Sequence, residues 1–474
     1  MTATTSAQRA VLRLRRDARL AEDPDRSGAW RIDYPNGFVR LGALPTALAA
    51  SVRMLAEAPV TESSLVDEVG EDNLLHLRMF LRKLDSGGLL EHGYTTGGEL
   101  LATLRPLGVG KLVRSPAPDP EVPRKLSRFV TIRPQDGKLI AQAPSSHLAL
   151  EVSEPMAGVL GALAGWATRA ELGERLPRFE SETVDAVLDM ARDAGLLISG
   201  GPESDPETGT MALRQWSVPD LWQHARSRGQ RLSPGYGGTY PLVDDFSPLP
   251  FVPPASGGRR VALPTPDLDA ISATDPSLTE TIERRRSIRE HDDTAPLSAA
   301  GLGELLYRCV RTKDQLTVED DELGSRPYPA GGALHELEFY PLITACEGVE
   351  PGLWHYATAD HALERVDGDD AAVSSLVETA RLSGLMSSPP QVVVVITARF
   401  GRVMRKYEGM SYALILKHVG VVYQTMYLVA TSMGLAPCAL GGGDAETFAR
   451  ASGLDYATEG SVGEFVLGSA APRS

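Results

Sequence analysis

A cluster of basic side chains and one hydroxyl lies at residues 284–289, which read Arg-Arg-Arg-Ser-Ile-Arg. Several guanidinium groups beside a hydroxyl can grip a dianionic phosphate, because a guanidinium donates two parallel hydrogen bonds to a pair of oxygens. Taken alone, the segment also fits the solvated basic end of a helix. The residues around it must therefore decide whether it is a phosphate site.

A lysine and a tyrosine adjoin at Lys406 and Tyr407. A lysine amine in a desolvated or cationic site can abstract a proton, and a neighbouring phenol can relay or orient that proton. Two surface residues at the start of a helix are the alternative interpretation. The pair is the candidate for proton transfer in this chain.

Two glycine-containing segments could bring backbone N–H groups close to a flat ligand. Residues 328–333 read Tyr-Pro-Ala-Gly-Gly-Ala, and residues 437–442 read Pro-Cys-Ala-Leu-Gly-Gly. Glycine has no Cβ, so a ligand can approach its backbone closely. Cys438 is expected to be a small packed residue, since no histidine lies near it in the sequence.

In this order, the four segments resemble the signature of the flavin-binding nitroreductase superfamily, over roughly residues 260–468. Lys406-Tyr407 resembles the Lys-Tyr pair of its SagB/ThcOx-type dehydrogenases. The resemblance implies that the phosphate of FMN is bound by Arg285, Arg286, Ser287 and Arg289. It implies further cofactor contacts at Pro329, Ala330, Gly331, Gly332, Leu440, Gly441 and Gly442. Ala330 stands where serine is usual in the family, so only backbone contacts are expected there.

The same resemblance implies a reaction and its participants. SagB/ThcOx-type enzymes oxidise thiazoline and oxazoline rings to thiazoles and oxazoles in ribosomally made peptides. Lys406 and Tyr407 would handle the ring proton, while FMN supplies the redox chemistry. The expected partners are a precursor peptide carrying azoline rings and a cyclodehydratase. A homodimer is expected as well, because enzymes of this superfamily bind FMN at a dimer interface.

These residues must be positioned by elements of the second half of the chain. Residues 335–343 alternate as a strand does, and residues 391–397 are apolar on both faces, which is typical of a buried central strand. Ser298 is expected to cap a helix, and a long apolar helix is expected over 412–434 as the candidate dimer surface. With the resemblance, this predicts an α+β fold whose nitroreductase-like sheet is mixed, mainly antiparallel and flanked by helices.

An internal repeat occupies the first half. Shifting the sequence by 107 positions places Leu65 on Leu172 and the Gly-Leu-Leu at 88–90 on that at 195–197, without a gap. Each copy reads as a hairpin followed by three helices, which predicts tandem winged-helix-like repeats. DNA binding is not expected, because the last helix, over 182–193, is acidic and would repel phosphate. A peptide-binding platform and a purely structural arm both stay open.

The predicted organisation has four parts. Winged-helix-like repeat 1 spans residues 1–105, and repeat 2 spans 106–200. A Pro/Gly-rich linker follows over 201–267, and an FMN-binding nitroreductase-like oxidoreductase domain occupies 268–474.

Composition excludes several classes of function. The 474 residues include 47 Lys+Arg against 62 Asp+Glu, so the net charge of −15 argues against nucleic acid as the main partner. The three cysteines are too widely spaced for a disulfide framework or a metal knuckle, so no metal site is expected and a reducing cytoplasm fits. No secretion signal is apparent at the N-terminus. Lys417 and His418 inside the 412–434 helix argue against a membrane span.

Two other functions are compatible with the sequence. One is a flavin-dependent nitro- or ene-type reductase of a small molecule; the absence of a dinucleotide fingerprint discriminates little, since nitroreductases bind nicotinamide without one. The other is a non-catalytic peptide-binding protein built on the repeats. The Lys-Tyr pair favours the peptide oxidase.

Overall fold

A computed structural model of the chain describes residues 8–35, 37–108, 119–144, 146–229 and 236–471. The chain forms two compact units, Met1–Tyr236 and Gly237–Ser474. The boundary falls inside the segment 201–267 that is predicted as a linker. The four-part organisation, including the winged-helix assignment, stays a prediction.

The first half of unit 1 combines six strands with three helices. In chain order these are β1 (Gln8–Leu14), β2 (Arg19–Glu22), β3 (Trp30–Tyr34), β4 (Gly37–Gly42), α1 (Thr46–Glu57), α2 (Glu62–Val69), α3 (Leu74–Ser86), β5 (Leu90–Thr96) and β6 (Glu99–Pro106). Strands β2, β3 and β4 form a small antiparallel sheet of their own.

The second half of unit 1 repeats much of this order and then continues in short helices. It contains β7 (Arg124–Leu126), β8 (Thr131–Gln135), β9 (Lys138–Gln142), β10 (Leu148–Val152), α4 (Glu154–Ala162), α5 (Arg169–Arg175), α6 (Ser181–Asp193), β11 (Leu197–Ser199), α7 (Pro206–Gly209), α8 (Met211–Arg214) and α9 (Val218–Arg228). A six-stranded sheet in the order β1-β5-β6-β10-β9-β8 joins the two halves, and β7 pairs with β11.

The three helices of each half recur at the predicted offset of 107 positions. Helix α3 begins 107 residues before α6 and ends 107 residues before it. Thr61 caps α2 through the backbone N–H of Ser64, and Thr168 caps α5 through the N–H of Glu171. Equivalent caps at equivalent positions start equivalent helices, because each satisfies an otherwise unpaired N–H group of the first turn. The repeat is therefore present in local structure as well as in sequence.

Unit 2 is built on a seven-stranded sheet. The described strands of this unit are β12 (Arg260–Ala262), β13 (Asp314–Val318), β14 (Asp321–Ser325), β15 (Leu337–Ile343), β16 (Gly352–Ala357), β17 (Ala362–Arg365), β18 (Val392–Arg399), β19 (Leu435–Leu440) and β20 (Glu459–Ser469). The sheet has the order β12-β17-β16-β15-β18-β20-β19, while β13 and β14 form a separate hairpin. Every strand pair within the seven-stranded sheet is antiparallel, so the prediction of a mixed sheet is wrong in that respect. The mainly antiparallel pairing is confirmed.

Helices cover both faces of this sheet. They are α10 (Leu268–Thr274), α11 (Leu278–Arg284), α12 (Ala299–Val310), α13 (Asp370–Ser383), α14 (Phe400–Met404), α15 (Ser411–Ser432) and α16 (Ala445–Ser452). In the central strand β18, Val394 and Ile396 belong to the core that contains residues of α12 and α15. Val393 and Val395 belong to the core that contains residues of α13 and α16. This alternation confirms that the predicted central strand is buried on both faces.

Helix α15 is the longest helix among the described residues and confirms the predicted long helix with slightly different ends. The chain leaves it through Gly434 at a φ of 71°, a left-handed conformation that glycine adopts without strain. The helix is long and apolar enough to cross a membrane, a test that buried helices of soluble proteins also pass. One side of α15, including Ile415, Val422 and Met426, is buried against the core, as packing on the sheet requires.

Candidate functional site

The Lys406–Tyr407 pair lies in the short connection between α14 and α15. The backbone N–H of Tyr407 donates to the carbonyl of Val403 at 2.8 Å, which ends α14. The hydroxyl of Ser411, the first residue of α15, donates to the carbonyl of Tyr407. The pair is thus attached to a helix end on each side, which limits its backbone freedom.

A segment from the predicted linker runs alongside this pair. Gly237 and Glu408 exchange two backbone hydrogen bonds of 3.1 and 2.9 Å, and the N–H of Tyr240 donates to the carbonyl of Lys406 at 3.0 Å. The ring of Tyr240 lies over Lys406, with the ring centroid 5.5 Å from Nζ, so the two make a cation–π contact. Tyr240 adopts a φ of 52°, which is uncommon for a residue with a bulky side chain. Sequence reasoning missed this residue.

The predicted turn at 329–332 meets the Lys-Tyr pair at Gly332. A Cβ placed on Gly332 would lie 2.8 Å from the hydroxyl oxygen of Tyr407 and 3.1 Å from Nζ of Lys406. Gly332 also has a φ of +62°, which disfavours any other residue. Two separately predicted pieces, the proton-transfer pair and the glycine turn, are therefore in direct contact.

A buried histidine and glutamate hold the neighbouring residue of the turn. The backbone N–H of Gly331 donates to Nε2 of His418 at 2.8 Å, and Nδ1 of His418 lies 2.7 Å from Oε1 of Glu336. Both side chains are buried. Sequence analysis considered His418 only as an obstacle to a membrane span and did not single out Glu336. The available signal was an imidazole inside a mostly apolar helix.

Beneath the turn lies a buried charged cluster. Arg326 and Arg399 approach Glu338 at 3.4 and 3.9 Å. Burial raises the pKa of Glu338, but the charge of Arg326, the contact with His355 and the charge of Arg399 together lower it by more, so the net pKa is below the ordinary value. Burial, followed by the charge of Arg326, lowers the pKa of His335 to about 3. Burial, followed by the charge of Arg399, lowers the pKa of Arg402 to about 10.

The arginine segment lies against strand β19 at another part of α15. The hydroxyls of Ser287 and Tyr427 lie 2.7 Å apart, and the backbone N–H of Ala439 donates to the Tyr427 hydroxyl at 2.8 Å. The guanidinium of Arg285 lies over the Tyr427 ring at 5.1 Å. The N–H of Ile288 donates to the carbonyl of Pro437 at 2.9 Å. The structure therefore brings the predicted phosphate residues to the strand that leads into the second glycine segment.

Two predicted phosphate-binding arginines have no side-chain partner among the residues that the structure describes. Arg286 and Arg289 are exposed, and neither makes a side-chain hydrogen bond or ion pair with another residue in the described part of the chain. Arg284, by contrast, pairs with Glu280 at 2.9 Å on the surface of α11. The charges of Arg286 and Arg289 are thus available to a ligand.

The second glycine segment borders open space. A Cβ on Gly441 or Gly442 would meet no atom within 4 Å, so the protein's own packing does not demand glycine at either position. At Gly443, which sequence reasoning did not select, a Cβ would overlap the carboxylate of Glu464. Burial raises the pKa of that carboxylate. Glycine at 441 and 442 is therefore compatible with close approach of a ligand.

Three polar side chains of α15 connect these pieces. His418 contacts the 329–332 turn, Tyr423 receives a hydrogen bond from the N–H of Glu464 at 2.8 Å, and Tyr427 contacts Ser287. Nine residues of helix separate His418 from Tyr427, which corresponds to about 14 Å along the axis. The predicted residues thus form two groups along one helix. A ligand that touches both must be elongated.

Two segments of the chain match known protein families. Residues 282–469 match the nitroreductase family. Residues 124–233 match the cyanobactin oxidase ThcOx family. The first match contains every predicted site residue, and the second lies within unit 1.

Three curated proteins illustrate the similarity. A nitroreductase-family protein of Methanocaldococcus jannaschii is 28% identical over 39% of this chain and 85% of its own length. The trifolitoxin-processing protein TfxB of Rhizobium leguminosarum bv. trifolii is 31% identical over 28% of this chain and 36% of its own length. The microcin B17-processing protein McbC of Escherichia coli is 29% identical over 35% of this chain and 60% of its own length. The chain therefore spans less than two thirds of either peptide-processing relative.

The family matches agree with the sequence resemblance. A nitroreductase segment carrying the arginine, glycine and Lys-Tyr signatures is accompanied in the same chain by a segment typical of cyanobactin oxidases. The two matches together support the resemblance to the SagB/ThcOx-type branch of the nitroreductase superfamily.

Proposed function

We propose that the protein is an FMN-dependent dehydrogenase that oxidises thiazoline or oxazoline rings to thiazoles or oxazoles in a ribosomally made peptide. The observation that carries the proposal is the convergence of Lys406 Nζ and Tyr407 OH on Gly332, in the turn that the family resemblance places beside the flavin. A base and a phenol held at one point of a cofactor turn suit removal of a proton from a substrate stacked there.

The residues present fit FMN. Arg286 and Arg289 supply positive charge that no described side chain pairs with, and Arg285 and the Ser287 hydroxyl lie beside them. These are the donors that a dianionic phosphate prefers. The open space beside Gly441 and Gly442 would let backbone approach a planar ring system. Contacts at Pro329, Ala330, Gly331 and Leu440 are part of the same proposal. FMN bound there would supply the hydride acceptor.

The chain's own residues handle the proton. Lys406, as the neutral amine, takes the proton from the ring carbon and becomes an ammonium. The Tyr240 ring, 5.5 Å from Nζ, stabilises that ammonium as it forms. Tyr407, beside the same glycine, orients the transfer. The proton thus ends on nitrogen, and loss of a hydride from the adjacent ring carbon, which FMN would accept, completes the double bond that makes the ring aromatic.

The substrate class rests on the relatives. TfxB and McbC are named for the processing of trifolitoxin and microcin B17, and the ThcOx match lies outside the nitroreductase segment. We propose a precursor peptide carrying azoline rings as substrate, a cyclodehydratase that makes those rings as partner, and a cytoplasmic location. Unit 1 would bind the peptide or the partner.

A homodimer is part of the proposal. Helix α15 exposes the apolar side chains of Tyr412, Leu416 and Val421, α11 exposes those of Leu278 and Ile282, and the two helices pack together; we propose that these side chains form one dimer surface. A second copy covering this surface would remove these side chains from water. Sedimentation of the purified protein measures the mass directly.

The first experiment is to purify the protein, record its visible spectrum and incubate it in air with an azoline-containing peptide. A flavin spectrum with a mass loss of two hydrogen atoms per ring supports the dehydrogenase. A yellow protein without mass loss favours the small-molecule reductase. A colourless protein that cannot take up added FMN contradicts both enzyme assignments and favours the peptide-binding protein.

A further inference from the structure

The chain is strained immediately after the 329–332 turn, so this region needs support from contacts outside itself. Gly332, Ala333 and His335 adopt φ values of 62°, 56° and 44°. Two of these residues carry a Cβ in a region that favours glycine. Such conformations persist only where surrounding contacts over-determine them, and they concentrate at functional sites.

The support comes from two buried hydrogen bonds, which form a relay from Gly331 through His418 to Glu336. The N–H of Gly331 donates to Nε2 of His418 at 2.8 Å, and Nδ1 of His418 lies 2.7 Å from Oε1 of Glu336. The exposed fractions of His418 and Glu336 are 5% and 0%. Water therefore does not compete for these hydrogen bonds.

The relay determines which nitrogen of the His418 imidazole carries the proton. A backbone N–H can only donate, so Nε2 of His418 must be the acceptor. The ring proton is then on Nδ1, where it is donated to the Glu336 carboxylate. Glu336 selects the tautomer that can hold Gly331, much as an outer carboxylate orients a functional histidine elsewhere.

A purely structural role does not explain Glu336, because this residue lowers the stability of the fold. Its second oxygen, Oε2, is buried without a hydrogen-bond partner in the described part of the chain. An unsatisfied buried carboxylate oxygen destabilises the fold, and an apolar contact would not. Residues that destabilise the fold without a structural benefit are expected at functional sites.

We propose that Glu336 and His418 are positioning residues, which fix Gly331 and Gly332 so that Lys406 and Tyr407 are held in the geometry for proton transfer. The inference deepens the proposed dehydrogenase function and rests on it. Gly332 links the turn to the catalytic pair, because it contacts both Lys406 Nζ and the Tyr407 phenol. If the turn moves, both groups lose this contact.

The test compares His418→Leu with His418→Gln. Leucine removes the acceptor, whereas the glutamine amide can accept from Gly331 and donate to Glu336. For leucine we expect hydrogen exchange at the Gly331 amide to rise at least 10-fold, and kcat to fall about 10- to 100-fold with a much smaller change in KM, since displacement of a catalytic group by about 1 Å costs roughly that much. Glutamine should stay within about fivefold of the wild-type kcat.

His361→Leu is the matched control. His361 is a second buried histidine with two partners, the Tyr356 hydroxyl and the Pro264 carbonyl, far from the turn in sequence. It should lower the melting temperature while leaving Gly331 exchange and kcat unchanged. Equal loss of kcat in His361→Leu would reduce the role of His418 to general stability and overturn the proposal.

The exchange measurement separates this inference from the proposed function. Unchanged Gly331 exchange in His418→Leu overturns the inference whatever the activity. Raised exchange with wild-type kcat overturns it too. If the wild-type protein oxidises no azoline, the dehydrogenase assignment fails by itself. The visible spectrum of protein-bound FMN then decides, because a displaced turn shifts the spectrum in His418→Leu but not in His418→Gln.

Discussion

The two ends of the candidate site are built differently. At one end, Lys406 and Tyr407 are held by backbone hydrogen bonds, by Tyr240 and by the turn at Gly332. At the other end, Arg286 and Arg289 are exposed and without partners in the described part of the chain. The protein's own contacts determine the position of the first group, whereas a ligand must determine that of the second.

This difference follows from what each end is proposed to do. Proton transfer depends on distances of a fraction of an ångström, so the groups that carry it are placed before substrate arrives. Binding of a phosphate depends mainly on available charge, and an arginine already paired within the protein would have to break that pair first. The preorganised end therefore suits catalysis, and the open end, farther along α15, suits cofactor binding.

The largest expected effect is at the preorganised end. Lys406→Ala should lower the rate of azoline oxidation by about 10²- to 10⁴-fold, and Tyr407→Phe by a smaller factor, because a positioned general base contributes that much. FMN affinity should change less than about threefold in either variant, well under 1 kcal/mol. Rates and flavin titrations measure the two quantities.

Lys313→Ala, which removes an exposed lysine of unit 2, is the control and should behave as wild type. Loss of FMN affinity in Lys406→Ala would contradict the division of labour between the ends.

Alanine at two glycines tests the comparison without any substrate. Gly332→Ala should destabilise the FMN-free protein by about 1–3 kcal/mol, because the new Cβ would overlap Tyr407 and the left-handed backbone disfavours alanine. Gly442→Ala, whose Cβ would meet nothing, should leave that stability within about 0.5 kcal/mol. Denaturant unfolding measures both. Equal destabilisation by the two substitutions would mean that the protein's own contacts hold both ends of the site, which would contradict the comparison.

At the open end, Arg286→Ala and Arg289→Ala should each weaken FMN binding by about 1.5–3 kcal/mol, roughly 10- to 100-fold in Kd, since each removes a charge-assisted hydrogen bond. At saturating FMN, kcat should be close to that of wild type. Titration followed by flavin fluorescence gives Kd, and Arg284→Ala serves as control because Arg284 already pairs with Glu280. A lowered kcat at saturation would show that the arginines also set the geometry.

The smallest expected effect is a pH dependence of stability beneath the preorganised end. Burial and Arg326 lower the pKa of His335 to about 3, so the folded protein keeps this histidine neutral. Its stabilisation is complete above the unfolded pKa of about 6.5 and is lost progressively as pH falls towards 3. The first pH unit below 6.5 should cost about 1 kcal/mol. Urea unfolding at pH 6.5 and 5.5 measures it, and a His335→Gln variant that kept the same loss would assign it to other groups.

Much of the local structure could be predicted from the sequence. Ser298 caps α12 through the N–H of Gly301, as its position before a helical apolar pattern predicts. The 107-residue repeat predicts three helices twice, and they occur, with α3 and α6 matching at both ends. The apolar run at 391–397 predicts a doubly buried strand, and β18 is one. These features depend on residues a few positions apart, so periodicity and capping reveal them.

The partners that complete the site could not be predicted in this way. Tyr240 lies more than 160 positions from Lys406, and His418 lies more than 80 from Gly331. No local pattern connects such residues, because their proximity results from how α15 packs on the sheet. The wholly antiparallel pairing likewise depends on strand order, which periodicity does not encode.

The sequence by itself indicated the family resemblance, and it determined the residue types available for chemistry and most of the elements that carry them. Only the tertiary structure decided which of those residues meet. In the folded protein Lys406 and Tyr407 lie against Gly332, and Tyr240 of the predicted linker contacts Lys406. His418 also hydrogen-bonds to Glu336. The physical reason is that chemical type and helical or strand period are local properties of the chain. Contact between distant residues arises when apolar faces are buried together and a few polar groups are enclosed with them.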